Sequence, residues 1–419
     1  MNGAAGYLNP VRSLLGAALM LGVTLGATSA VAATPQEVPL TVDTVVRGVD
    51  GVIWSVAHAP DGRFFFSVRQ TSDIFVSRLG GQPERLLNLE QACRDCGEGG
   101  LMGLATSPEF ADNGLLYAMY TYRGADTPTG IANKVVRIDT RTGQVDGTLV
   151  DEIPGGTTHD GGRLRFGPDG LLYVTTGDGR NRPNPAQDRS NLAGKILRVS
   201  PTGGGAEVFS YGHRNAQGLD FRADGTLFAV EHGPGCRDEL NLITEGTNYG
   251  WTGDEGCPPR LPPGSAEPVK LYTPSTTIAP SGAAFYGATL IPQWTGSFFF
   301  TTLKDQTLYR VQLSTDGREV SSEETLYREA YGRLRSVSEG PDGALWLSTD
   351  DGRVLRVHPE TAESSAAPQE LEAPEEPAAA PQEPEEQNWF PVAGVAGLAA
   401  AVILAGAATV LARRRIRRP

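Results

Sequence analysis

Cysteine is scarce in this chain, four in 419 residues, and its arrangement excludes more than it offers. "CRDCG" holds a CxxC pair at Cys93 and Cys96, but no His follows it, so it is not a haem-attachment motif. No second CxxC completes a zinc site. Positive charge is also short. Lys and Arg number 36 against 49 Asp and Glu, and the formal net charge of −13 argues against a nucleic-acid partner. No LPxTG-like motif marks a wall anchor, and no EF-hand loop is found. With 52 Gly and 30 Pro, the chain favours many turns and short strands over long helices.

The two ends stand apart from the body. Residues 1–32 read as a secretory leader: Arg12, the apolar run "SLLGAALMLGVTLG", then "ATSAVAA" with an A-x-A site near Ala32. Residues 359–388 are rich in Pro, Ala and Glu, without Lys or Arg, and are expected to form an extended disordered stalk. The uncharged run at 391–412 is long enough to cross a bilayer, and "RRRIRR" follows it. Residues 389–419 are therefore expected to be a transmembrane helix with a basic cytoplasmic tail. The body, 33–358, is then extracytoplasmic and tethered to the cell membrane. Export makes disulfides the default. Proximity pairs Cys93 with Cys96 and Cys236 with Cys257, although four cysteines allow other connectivities. A redox-active CxxC is the alternative for the first pair.

The body repeats one phrase, a turn followed by a short apolar strand. The copies are "APDGRFFFSV" (59–68), "ADNGLLYAMY" (111–120), "GPDGLLYVTT" (167–176), "RADGTLFAVE" (222–231), "QWTGSFFFTT" (293–302) and "GPDGALWLST" (340–349). Asp-Gly or Asn-Gly before β-formers signals a hairpin. A second phrase such as "KVVRIDT" or "KILRVSP" follows each copy and reads as the next strand. The turn positions, Asp61, Asp112, Asp169, Asp224, Thr295 and Asp342, are spaced by roughly the length of a four-stranded propeller blade with its loops. The fold class expected is all-β, a six-bladed β-propeller. A β-sandwich would not explain the recurrence.

Chemistry in a propeller belongs to the loops on one face. "TTHDGGRLRFG" offers His159 as a general base, and Asp178 in "GDGRN" could orient it. "YGHRNAQGL" offers Arg214, Asn215 and Gln217; "FTTLKDQTL" offers Lys304; "YGRLRSVSEG" offers Arg333 and Arg335, which share a face at i and i+2. These cations repel unless something anionic lies among them, either a ligand bearing carboxylates or phosphates or local acidic partners. In "VEHGPGCRDELNLITEGTNYGW", the Gly233–Pro234–Gly235 carbonyls and the carboxylates of Asp238, Glu239 and Glu245 suit Ca²⁺ better than zinc; an ordinary acidic loop is the plain alternative.

These motifs resemble, in order, those of the pyrroloquinoline quinone (PQQ)-dependent glucose and aldose sugar dehydrogenases, the glucose/sorbosone dehydrogenase family. The resemblance covers roughly residues 40–358 and is most specific in "GHRNAQGL" and "DELNLITEGTNYGW". It implies a six-bladed propeller that oxidises the C1 hydroxyl of an aldose, with PQQ and Ca²⁺ as cofactors and a quinone or other respiratory electron acceptor. It implies that Arg214, Asn215, Gln217, Thr277, Lys304, Arg333 and Arg335 surround PQQ, that Gly233 and Pro234 bind its calcium, and that Glu239 and Tyr249 hold a structural one. It implies His159 as the catalytic base, with Asp178 and Arg214 beside it and Glu98 and Asp238 near the sugar. Thr158, Glu98 and His232 depart from the glucose-specific members, so glucose itself is not implied. The alternatives are a calcium-dependent lactonase-type propeller hydrolase and a non-catalytic binding propeller.

Overall fold

Runs such as Phe64–Phe66 and Phe298–Phe300 are apolar at every position, and each of these rings is fully buried. A strand of that kind must be covered on both faces. In the computed structural model each belongs to a sheet pressed between two neighbouring sheets. The structure describes residues 37–124, 126–272 and 277–360. The expected leader and membrane-crossing segment, and the stalk beyond Glu360, lie outside the described residues. Among those described, no helix is long and apolar enough to cross a membrane.

Six four-stranded antiparallel sheets form the body. The turn phrase supplies the second strand of each blade and the following phrase the third, as in Arg63–Val68 and Asp73–Arg78. The innermost strands are Ile53–His58, Leu101–Thr106, Leu164–Phe166, Ala216–Phe221, Pro280–Phe285 and Leu334–Glu339. Each packs on the next, and Leu334–Glu339 returns to Ile53–His58, closing the ring. Here the backbones approach closely: a Cβ on Gly218 would meet the Ser281 carbonyl, and one on Gly282 would meet the backbone of Ser336.

The N-terminal strand Leu40–Val46 pairs with Val354–Pro359, so the sixth blade takes strands from both ends of the described chain. This pairing leaves no gap in the ring. Each junction between blades has its own apolar cluster, for example Phe64, Phe66 and Trp346 between the first and sixth, or Phe228, Phe298 and Phe300 between the fourth and fifth. Every large side chain buried there contributes roughly 1.5–3 kcal/mol.

The turns repeat in atomic detail. Oδ1 of Asp61, Asn113, Asp169, Asp224 and Asp342 accepts a hydrogen bond from the amide two residues on, at 2.9–3.3 Å. The second turn residue is therefore Asn113 rather than the expected Asp112, which lies exposed on the short helix Phe110–Asn113. These turns leave the innermost strands at one end of the ring. The loops that enter those strands share the opposite face, and the candidate chemistry lies there.

Candidate active site

His159 lies in the loop before the third innermost strand and holds a left-handed backbone at φ 63°. A non-glycine residue keeps that conformation only where its surroundings impose it. Its carbonyl accepts from the Gly179 amide at 2.9 Å, and its own amide donates to Glu98 Oε2 at 3.2 Å. The ring Nδ1 lies 2.8 Å from Asp178 Oδ1. A carboxylate only accepts, so Nδ1 carries the proton, and in the neutral imidazole Nε2 presents a lone pair.

Asp178 is fully buried and saturated with donors. The Arg180 amide also reaches Oδ1 at 2.9 Å, while Asn184 Nδ2 and Trp251 Nε1 reach Oδ2 at 2.6 and 2.7 Å. Burial pushes this carboxyl up, but the hydrogen bonds led by His159 outweigh it and hold Asp178 below the usual carboxylate range. The Asp178 amide donates to the Arg214 carbonyl at 2.9 Å, which ties the base to the fourth blade.

Arg214 is nearly buried, stacked over Trp251 at 5.3 Å, and reaches the His232 carbonyl and Glu255 Oε2, both at 3.4 Å. Asn215 Oδ1 accepts from the Gly161 amide at 3.1 Å. Both amides of the pair, Arg214 and Asn215, donate to Glu231 Oε1, and Glu231 Oε2 lies 2.8 Å from His213 Nδ1. His213, the residue before Arg214, is thus a packed brace, stacked on Tyr249 at 4.6 Å.

Gln217 Oε1 accepts from Arg335 and from Ser281, both at 3.3 Å. Arg335 also grips Asp350 through two nitrogens at 2.8 and 3.0 Å, and Arg333 reaches the same carboxylate at 2.7 Å. The two arginines do share a face. The Lys304 amide donates to the Ile278 carbonyl at 3.1 Å, while its side chain is exposed with no ion pair among the described residues.

Asp238 requires a correction. It was expected beside the sugar, yet it is fully buried and its carboxylate is consumed by the chain. Oδ2 accepts from Thr277 Oγ1 at 2.5 Å and from the amides of Ile278 and Ala279 at 2.7 and 2.9 Å; Oδ1 accepts from the Gly233 amide at 2.9 Å. It fastens the Thr277 loop to the Gly233 loop. The hydroxyl of Tyr249 is likewise committed, donating to the Leu242 carbonyl at 2.7 Å and accepting from the Thr244 amide at 2.9 Å. Only its backbone carbonyl could serve a metal.

The residues present fit a flat polycarboxylate. Among the described residues Arg333 and Arg335 share one carboxylate, Lys304 has none, and Arg214 Nε is buried without a partner. They would hold PQQ through its carboxylates and quinone oxygens. Beside them, a cavity of about 20 Å³ is lined by Gly233, Pro234, Tyr249 and the carboxylates of Glu231 and Glu239. Burial, then the charge of Glu231, pushes Glu239 up to about 7 despite bonds from Arg237 and Asn241. A raised carboxyl beside the Gly233 and Pro234 backbone gives an oxygen-lined setting that suits a divalent cation such as Ca²⁺. Glu245 is not part of this set; it pairs with Arg198 at 3.3 Å.

Cys93 is bonded to Cys96 and Cys236 to Cys257. The first bridge pins the chain two residues before Glu98. The second ties the Gly233 loop to the segment bearing Glu255. Sequence reasoning missed Asp350, Glu231 and Glu255, the carboxylates that partner these cations and amides. Asp350 sits in "STDDG" with no pattern to distinguish it; only the register of the sixth blade brings it to Arg335.

The family model for Glucose / Sorbosone dehydrogenase matches residues 51–356. Aldose sugar dehydrogenase YliI of Escherichia coli is 32% identical over 294 residues, which cover 63% of this chain and 78% of that one. Quinoprotein glucose dehydrogenase B of Acinetobacter calcoaceticus is 31% identical over 301 residues, covering 60% of this chain and 61% of that enzyme. The PQQ-bound aldose sugar dehydrogenase of Streptomyces coelicolor superposes with a TM-score of 0.65 at 33% identity, covering 77% of this chain and 99% of that one. The propeller, the ordered loops and these matches together place the chain in the glucose/sorbosone dehydrogenase family of quinoprotein sugar dehydrogenases.

Proposed function

We propose that the chain oxidises the C1 hydroxyl of aldose sugars to the corresponding lactones, with PQQ, polarised by Ca²⁺, supplying the hydride acceptor. The observation that carries this reading is the 2.8 Å contact between His159 Nδ1 and Asp178, which leaves Nε2 free to accept a proton. His159 takes the C1 hydroxyl proton at Nε2, and Asp178 stabilises the imidazolium that results. Arg214, Lys304, Arg333 and Arg335 hold the cofactor's carboxylates, with Asn215, Gln217 and Thr277 around them. Gly233 and Pro234 offer carbonyls to the metal. Glu98, exposed beside His159, meets the sugar. The apolar run at 391–412 and the leader support an extracytoplasmic enzyme tethered to the membrane, near respiratory acceptors.

The test loads the full chain with PQQ and Ca²⁺ and assays a panel of aldoses with an artificial electron acceptor. Turnover that disappears in His159→Ala is expected. Retained quinone absorbance with no turnover on any sugar would instead favour a non-catalytic binding propeller. That second reading draws on the ion pairs of Arg214, Arg333 and Arg335 with Glu255 and Asp350.

A further inference from the structure

Buried cations in this protein are answered by acceptors. Lys195, fully buried, donates to the carbonyls of Pro185, Ala186 and Ala193 at 3.0, 3.0 and 2.6 Å. Arg335, 4% exposed, has Asp350. Among the described residues Arg163 is the exception. It is 6% exposed and stands between His159 and the third innermost strand. Its Nε donates to the Gln217 carbonyl at 2.8 Å, and its guanidinium lies 4.2 Å from the centre of the Trp54 ring. The outer nitrogens have no hydrogen-bond partner among the described residues, and Nη2 is out of solvent reach. No carboxylate among the described residues pairs with it. The charged groups that act on it are Arg335 and Arg165, both cations; burial first, then these two, push the guanidinium down to about 9.

Three blades meet at this charge: Trp54 from the first, Arg163 from the third and Gln217 from the fourth. Arg165, two residues further along the strand, shares its face. It reaches a cavity of about 300 Å³ at the far mouth of the channel, lined also by His58, Thr106, Ser338 and Glu339. Arg165 is itself paired with buried Asp220 at 2.5 Å, so its charge is answered where that of Arg163 is not. A water molecule could satisfy an N–H at Arg163 but not its charge. The indole face and the Gln217 carbonyl cover the guanidinium on two sides and leave its outer nitrogens free to bind an anion.

We propose that Arg163 is the binding residue of a small-anion site on the propeller axis, taking a monovalent anion of the chloride class through the mouth at Arg165. The site lies beneath the cofactor cations and is linked to them by Gln217, whose carbonyl takes Arg163 and whose side chain takes Arg335. It does not depend on PQQ or on catalysis.

The experiment uses the full chain without PQQ. Crystals grown with sodium bromide in place of chloride are measured at the bromine edge, and Tm is followed as chloride replaces gluconate at constant ionic strength. An anomalous peak in contact with the Arg163 guanidinium is expected. So is a saturable rise in Tm of a few degrees that Arg163→Met, similar in length and uncharged, does not show. Water alone at the guanidinium overturns the proposal. So does a peak without a saturable Tm response, which would be binding at crystal concentration only, or a Tm response without a peak. The wild-type measurements decide even if Arg163→Met fails to fold.

Discussion

The two faces of the propeller use the same residue type in opposite ways. On one face, Asp61, Asp169, Asp224 and Asp342, with Asn113, each close a tight turn through one Oδ1 acceptor. On the other, Asp178, Asp160, Asp238 and Asp350 are drawn inward, each holding loops that differ from blade to blade. The turn face is repeated because six hairpins pose one geometric problem. The loop face is varied because each loop places a different group. A carboxylate in the first setting needs only an oxygen; in the second it needs its charge or its full acceptor capacity. Replacing Asp by Asn tests that distinction, because it changes little else.

Asp178→Asn is expected to have the largest effect, a fall in kcat of ~10²–10⁴-fold on any aldose the wild type oxidises. All four partners of Asp178 are donors, two on each oxygen, so an amide NH₂ opposes two of them in either orientation. The variant also lacks the negative charge that stabilises protonated His159. Steady-state kinetics of the PQQ-loaded protein decide; a kcat within twofold of wild type would show that Asp178 does not support the base.

Asp350→Asn comes next and is read in stability. It leaves buried Arg335 without its counter-charge, a change that costs about 3–5 kcal/mol in comparable buried pairs. Burial pushes the Asp350 carboxyl up, but Arg335 and Arg333 outweigh it and hold it below the usual range. A depressed folded-state value means stabilisation that is complete above the unfolded value of about 3.9 and is lost as pH falls through the folded one. Denaturant melts should therefore show wild type and variant converging in acid and diverging above about pH 4.

Asp160→Asn has the reverse sign. Burial pushes its carboxyl up to about 7, against bonds from the Gly156 amide and Asn133, and Oδ2 has no partner among the described residues. A raised folded-state value gives stabilisation that is full below about pH 4 and is lost as pH rises through about 7. The variant should lack that decline, so its Tm relative to wild type should rise between acid and neutral pH. Glu255→Gln is a milder probe of the same face. It removes a partly exposed partner of Arg214, a contact worth at most ~1 kcal/mol, so PQQ affinity by absorbance titration should rise no more than about fivefold.

Legibility in the sequence follows the same division. The second strand of each blade was readable because it is largely apolar and begins at a marked turn, as at Asp61 and Asp342, and the third because it follows the second with a recurring phrase of its own. The innermost and outermost strands were not. Pro280–Phe285 is built of small residues because the axis is crowded, and Val320–Leu326 is largely polar because it faces solvent, so neither shows the pattern of a buried strand. His159, Arg214 and Arg335 were legible as chemistry without a structural job. Their partners were not, because Asp350 and Glu231 reach them only through blade register and loop closure. Asp238 misled for the same reason: a carboxylate in an acidic loop looks available until the folded chain supplies four donors to it.

The smallest effect is expected where the sequence repeats most visibly. Asp61→Asn should change stability by no more than about 0.5 kcal/mol and leave kcat untouched. Asn113 already does the same work in the second blade, accepting from the Leu115 amide at 3.0 Å as Asp61 accepts from Arg63 at 3.0 Å. The one added loss is the contact of Asp61 Oδ2 with Arg63 at 2.8 Å, an exposed pair of little worth. Asp61→Ala removes the acceptor itself and should cost about 0.5–1.5 kcal/mol, the value of one hydrogen bond. If chemical denaturation instead showed Asp61→Asn as costly as Asp61→Ala, charge rather than turn geometry would be holding this face, and the contrast with Asp178 would fail.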